Sequence, residues 1–179
     1  MSNPIFIIGY MAAGKTTLGR YAAREMGRDF IDLDRYIEAR YRKSIADIFA
    51  SDGEARFREI ERNMLHEVAE FDNVLVATGG GTPCFFDNME YMNERGVVVF
   101  LSCPVETICR RIRASKVKRP LLLSLDDETL ASRVNEMLMA RLPFYKQAAY
   151  TFDSSQYESR SALVAATKAL QSLIGGSDK

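Results

Sequence analysis

The stretch Gly9-Tyr10-Met11-Ala12-Ala13-Gly14-Lys15-Thr16 constrains this chain more than any other. It fits the pattern G-x-x-x-x-G-K-[ST], in which backbone N–H groups turn inward and cradle phosphate oxygens. The lysine of such a loop reaches the β- and γ-phosphates, and the hydroxyl ligates Mg²⁺. The pattern needs a strand before it and a helix after it. Residues 4–8 are a short apolar, β-branched run suited to a buried parallel strand. Residues 17–26 read as a helix stopped by Gly27. The N-terminus of that helix adds partial positive charge where the phosphates would lie. Ala12, Ala13, Gly14, Lys15, Thr16 and Thr17 are therefore the expected nucleotide contacts.

Further along, short apolar strands keep alternating with helices. Strands are expected at residues 29–32, 73–77, 97–101 and 150–152. Helices are expected at 33–41, 54–70, 86–95, 105–113, from Asp126 or Asp127 to about 142, and at 159–174. Ser44 and Asp47 look like a capping box that opens a short helix ended by Asp52 and Gly53. Phe57, Ile60, Met64 and Val68 have the spacing of a buried face, as do Leu163, Ala166, Leu170 and Leu173. The alternation argues for one α/β domain spanning 1–179, a parallel sheet with helices on both faces. Ligands of such sheets bind beyond the carboxyl ends of the strands.

Composition removes several function classes. Lys plus Arg number 24 and Asp plus Glu number 24, so no bulk pull toward nucleic acid is expected. His66 is the only histidine, which makes a histidine metal site or a Ser-His-Asp triad a poor fit. Cys84, Cys103 and Cys109 have no framework spacing and read as reduced thiols, as in cytoplasm. No run of about 18 apolar residues marks a membrane span, and no signal peptide is visible.

Four further features could carry chemistry. Asp32 and Asp34 alternate at a strand end and would share a face on extended backbone. One could hold a Mg²⁺ water while the other accepts a substrate proton; equally, Asp34 could only cap the next helix. Arg58 could enter the cleft as a carboxylate fork or lie exposed, paired with Glu54 or Glu61. Gly79, Gly80 and Gly81 follow a strand directly; they mark either close backbone approach to a ligand or a plain flexible turn. A basic run ending at Arg119-Pro120 suits a mobile lid that excludes water. Arg141 and Tyr145 bracket the end of a helix.

Taken together, GYMAAGKTT, FIDLD followed by IE, FREIE, ATGGG, RPLL and RLPFY, in that order, resemble the shikimate kinase family over nearly the whole chain. The loop alone is shared by many NTPases; the combination is specific. The resemblance implies a fold like that of nucleoside monophosphate kinases. That is a three-layer sandwich around a five-stranded parallel sheet, a P-loop kinase with a substrate segment at about 32–62 and a lid at about 112–125. It implies transfer of the ATP γ-phosphate to the 3-hydroxyl of shikimate, on the route to chorismate and the aromatic amino acids.

By position, Lys15, Asp34 and Arg119 would be catalytic, with Asp34 the proton acceptor and Arg119 the lid arginine on the phosphates. Arg58 and Arg141 would bind the shikimate carboxylate. Gly80, between Gly79 and Gly81, would contact substrate through its backbone. Thr16 would ligate Mg²⁺, with Asp32 reaching it through water. Arg110 or Arg111, the latter preferred, would stack on adenine. Ala12 departs from the glycine of many members. The alternatives are another small-molecule P-loop kinase, such as a gluconate kinase, or a nucleotide-binding regulatory module. The expected partner is a small molecule, with neither nucleic acid nor membrane, and the expected state a monomer.

Overall fold

The computed structural model describes residues 3–115, 124–155 and 159–175. Five parallel strands form one sheet: β1 Ile5–Ile8, β2 Asp29–Asp32, β3 Val74–Ala77, β4 Val97–Ser102 and β5 Tyr150–Asp153. Their order is β2-β3-β1-β4-β5. The central strands β1 and β3 bury all four of their residues, whereas β2 and β5 at the edges are partly exposed. That gradient explains why β1 and β3 read as continuous apolar runs and β2 as Asp-flanked. Each fully buried aliphatic side chain contributes roughly 1.5–3 kcal/mol.

Among the described residues, seven α-helices connect or follow the strands: α1 Lys15–Glu25, α2 Leu33–Tyr41, α3 Ile45–Ala69, α4 Asn88–Arg95, α5 Val105–Ala114, α6 Asp127–Tyr145 and α7 Arg160–Gly175. The step from β1 to β2 runs one way along the sheet, and the steps β2 to β3, β3 to β4 and β4 to β5 run the other way. Right-handed crossovers therefore put α1 on one face, with α7 packed against it, and α2 to α6 on the other.

Several boundaries differ from the sequence expectation for identifiable reasons. Residues 45–69 share one run of helical hydrogen bonding, but Gly53 is non-helical (φ 79°, ψ 171°). The kink falls where Asp52 and Gly53 were expected to end a helix. Ser44 accepts from the Asp47 N–H at 3.1 Å, yet Asp47 takes the Ser44 hydroxyl at 2.7 Å rather than a backbone N–H. Residues 82–84 form a 3-10 turn, so α4 starts two residues later than expected. Helix α6 continues past Leu142 through Pro143 to Tyr145. The backbone bond lost at proline is offset by a fully buried Tyr145, whose ring stacks on Phe100 at 5.1 Å. On α7 the buried stripe is Leu163, Thr167 and Leu170; Thr167 satisfies its hydroxyl on the Leu163 carbonyl at 2.9 Å.

Register brings the chemistry to one edge. Asp32 pairs with Ala77, and Ile7 with both Ala77 and Val99. The ends of β1, β2 and β3 are thus level. The loop after Ile8, the start of α2 and the glycines after Thr78 all open at the same place. Arg119 and Pro120, with most of the expected lid, lie outside the described residues.

Candidate active site

The phosphate loop is built by strain and close contact. Gly9 has φ 142°, and a Cβ there would sit 2.8 Å from the Leu101 carbonyl oxygen, so only glycine fits. Ala12 has φ 59°, the left-handed region that glycine occupies without penalty. The Ala12 methyl thus stands at a strained turn. Lys15 Nζ donates to the carbonyls of Gly9 at 2.8 Å and Tyr10 at 2.9 Å. Gly14 gives α1 no side-chain cap, and its first turn holds no acidic residue. An uncapped helix N-terminus of this kind suits an anion.

Asp32 joins this loop to α2. Its Oδ2 accepts the Thr16 hydroxyl at 2.8 Å, and its Oδ1 caps α2 by accepting the Arg35 N–H at 3.3 Å. The cap is therefore Asp32, and the reading of Asp34 as the cap is corrected. So is the picture of both aspartates on extended backbone. Asp34 lies in the first turn of α2, rotated toward Gly79 by helical geometry. Burial, then the charges of Asp32 and Glu61, push its carboxyl up from 3.8 to about 6, against the pull of Lys15.

The glycine stretch is the floor on which these groups meet. A Cβ on Gly79 would fall 3.0 Å from Asp34 Oδ1, Glu61 Oε1 and Thr82 Oγ1. A Cβ on Gly81 would meet Arg58 Nη1 at 3.0 Å, and one on Gly80 would meet Arg141 Nη1 at 3.2 Å. Arg58 and Arg141 thus flank residues 79–81 although 83 positions separate them in sequence. The Tyr145 hydroxyl donates to the Gly80 carbonyl at 2.5 Å, which ties the end of α6 to this floor.

Of the expectations for Arg58, the ion pairs are present but the exposure is not. It pairs with Glu61 at 2.8 Å and Glu54 at 3.1 Å, but its side chain is only 12% exposed. Its guanidinium lies 3.9 Å from the Phe85 ring centroid. Glu61 was visible in the sequence only as a surface partner. It is 1% exposed, with its other oxygen accepting the Thr82 hydroxyl at 2.6 Å. It holds Arg58 against the glycines. Its position next to the apolar stripe residue Ile60, three residues after Arg58, was the available signal.

A cleft of about 900 Å³ runs from the loop to the glycines. Its walls include Gly14, Lys15, Thr16, Thr17, Asp32 and Asp34. Arg58 and Arg141 stand beside it along residues 79–81 rather than on its wall. Both adenine candidates, Arg110 and Arg111, line it. Arg111 donates to the carbonyls of Ser154 at 2.8 Å and Ala13 at 3.4 Å, which holds it at the edge of the phosphate loop.

A phosphate loop that shares its cleft with a second, differently charged half-site follows the plan of a P-loop kinase acting on a small molecule. The Shikimate kinase family model matches residues 11–173. The shikimate kinase of Phocaeicola vulgatus is 52% identical over 167 residues, 93% of this chain and 95% of its own. The crystal structure of the Bacteroides thetaiotaomicron enzyme has a TM-score of 0.94 at 48% identity, covering 97% of this chain and 98% of that one. A shikimate kinase from Acinetobacter baumannii, solved in complex with shikimate, has a TM-score of 0.84 at 34% identity, covering 100% and 97%. The chain belongs to the shikimate kinase family.

Proposed function

We propose that this chain transfers the γ-phosphate of ATP to the 3-hydroxyl of shikimate, giving shikimate 3-phosphate and ADP. One observation carries the assignment of roles. A buried carboxyl, Asp34, pushed up to about 6 by its surroundings, lies on the cleft wall beside a glycine floor flanked by two arginines. Arg58 and Arg141 hold the shikimate carboxylate as a fork, and the Gly80 backbone fixes the ring. Asp34 orients the 3-hydroxyl and takes its proton as the oxygen attacks the γ-phosphorus. Lys15 and the loop N–H groups neutralise charge on the phosphates. Arg111 stacks on adenine. Arg119 is assigned the lid role from sequence alone, since it lies outside the described residues.

Thr16 and Asp32 offer two hard oxygen donors in contact at the head of α1, a set that suits Mg²⁺ completed by phosphate oxygens and water. When bound there, Mg²⁺ would neutralise charge on the phosphates. Among the described residues no helix is long and apolar enough to cross a membrane. We read the chain as one kinase domain over 1–179, with substrate segment and lid at about 32–62 and 112–125, working as a cytoplasmic monomer.

The test is an assay of ADP release with shikimate, gluconate or no added acceptor. Turnover should require shikimate; equal rates in all three arms would overturn the proposal. Arg58→Ala should raise the KM for shikimate by about 10–100-fold, the worth of a lost hydrogen bond to a charged group. The KM for ATP should stay within about twofold. Because this variant also leaves Glu61 buried without its cation, Arg58→Lys is the partner control. It keeps a charge, loses the fork and should fall in between. An unchanged shikimate KM in both variants would remove Arg58 from the acceptor site.

A further inference from the structure

Arg35 lines the cleft but has no part in the roles assigned so far. It follows Asp34 directly, in the first turn of α2, and its own N–H is held by Asp32. The position is electrostatically unfavourable, since a cation there opposes the helix dipole. Other arginines of α2 and α3 answer their charge with a carboxylate: Arg40 with Glu67 at 3.0 Å, Arg56 with Glu59 at 2.7 Å, Arg62 with Asp87 at 2.9 Å. Arg35 has no such partner among the described residues; its side chain makes no hydrogen bond or ion pair there. It is exposed, on the wall that carries Asp32 and Asp34.

Transfer changes what that wall must tolerate. The bond between the γ-phosphorus and the β,γ-bridging oxygen breaks, a bond to the acceptor oxygen forms, and the hydroxyl proton passes to Asp34. A phosphate dianion then stands beside the Asp32 carboxylate and the newly protonated Asp34. Lys15 belongs to the donor side, where the loop carbonyls hold it. A guanidinium one residue past Asp34 is placed to meet the new phosphate with its planar fork. We propose that Arg35 is a product-side phosphate contact. It distinguishes the phosphorylated acceptor from the free acceptor and sets how tightly the product is held. This inference rests on the substrate proposed above.

Calorimetric titration of the intact protein tests it, with shikimate, shikimate 3-phosphate in the presence of ADP, and a non-hydrolysable ATP analogue. Arg35→Gln should weaken shikimate 3-phosphate about tenfold, the scale of one charge-assisted contact, with Arg35→Lys in between. Affinity for shikimate and for the ATP analogue should change by less than about twofold. An unchanged product affinity overturns the inference. So does a loss shared equally with shikimate, or a larger loss for the ATP analogue, which would place the arginine on the donor side. Parent protein that binds neither form of the acceptor overturns the substrate proposal itself. That outcome differs from the others because it is seen before any substitution is made.

Discussion

Asp34→Asn is expected to lower kcat by about 10²–10⁴-fold, the usual worth of a positioned general base, while making the folded protein more stable at neutral pH. The second effect follows from the raised pKa. Native Asp34 binds its proton more tightly than the unfolded chain does, with a pKa of about 6 against 3.8. Stability is therefore lost as pH rises through that window, and the full cost is present above about pH 6. At about 1.36 kcal/mol per unit this amounts to about 3 kcal/mol. Asparagine carries no such charge, so the gain should appear at pH 8 and vanish below about pH 4. Denaturant unfolding at the two pH values measures it. The parent enzyme should correspondingly lose kcat/KM as pH falls below about 6 and Asp34 becomes protonated. Near-normal turnover in Asp34→Asn, or equal stability at both pH values, would count against the assigned role.

Lys15→Ala is expected to lower kcat by about 10²–10³-fold, on the scale of removing one preorganised donor from developing charge. The ammonium is already fixed by the Gly9 and Tyr10 carbonyls. It costs little reorganisation to present it to a phosphate at the same loop. The substitution also removes the one charge that holds the Asp34 carboxyl down. The acid limb of kcat/KM should therefore move upward from about 6 in Lys15→Ala, a shift that loss of nucleotide binding alone would not produce. An unmoved limb with near-normal kcat would exclude both effects.

The two predictions are linked because Lys15 and Asp34 sense each other across the cleft. Sequence alone made each residue visible for a separate reason. Lys15 came from a spaced motif whose chemistry is local. Asp34 came from its place at a strand end, and its geometry was misjudged there. Residue 34 turned out to be helical because Asp32 caps α2, and no rule of alternation on extended backbone applies past a cap. For Arg58 the paired half of the surface reading holds and the exposed half does not. The i−4 and i+3 pairs are real. What the spacing did not reveal is that Glu61 is buried against Thr82 and so points the guanidinium at the glycines.

The order β2-β3-β1-β4-β5 was not legible in the strand pattern itself, since short apolar runs carry no record of their neighbours. It is this order that levels Asp32 with Ala77 and opens the cleft. The helix through Pro143 was missed because local propensity ends a helix there, whereas Tyr145 is held in place by Phe100 and the Gly80 carbonyl.

Sequence by itself determined the phosphate loop, the alternation of strands and helices and the identity of the charged residues, because each is written in spacing along the chain. Tertiary structure alone decided which of those charges share one desolvated space. Asp34, Glu61, Arg58 and Arg141 acquire their chemistry from surrounding a glycine floor, and a pKa set by burial and by charges distant in sequence exists only once the chain has folded around it.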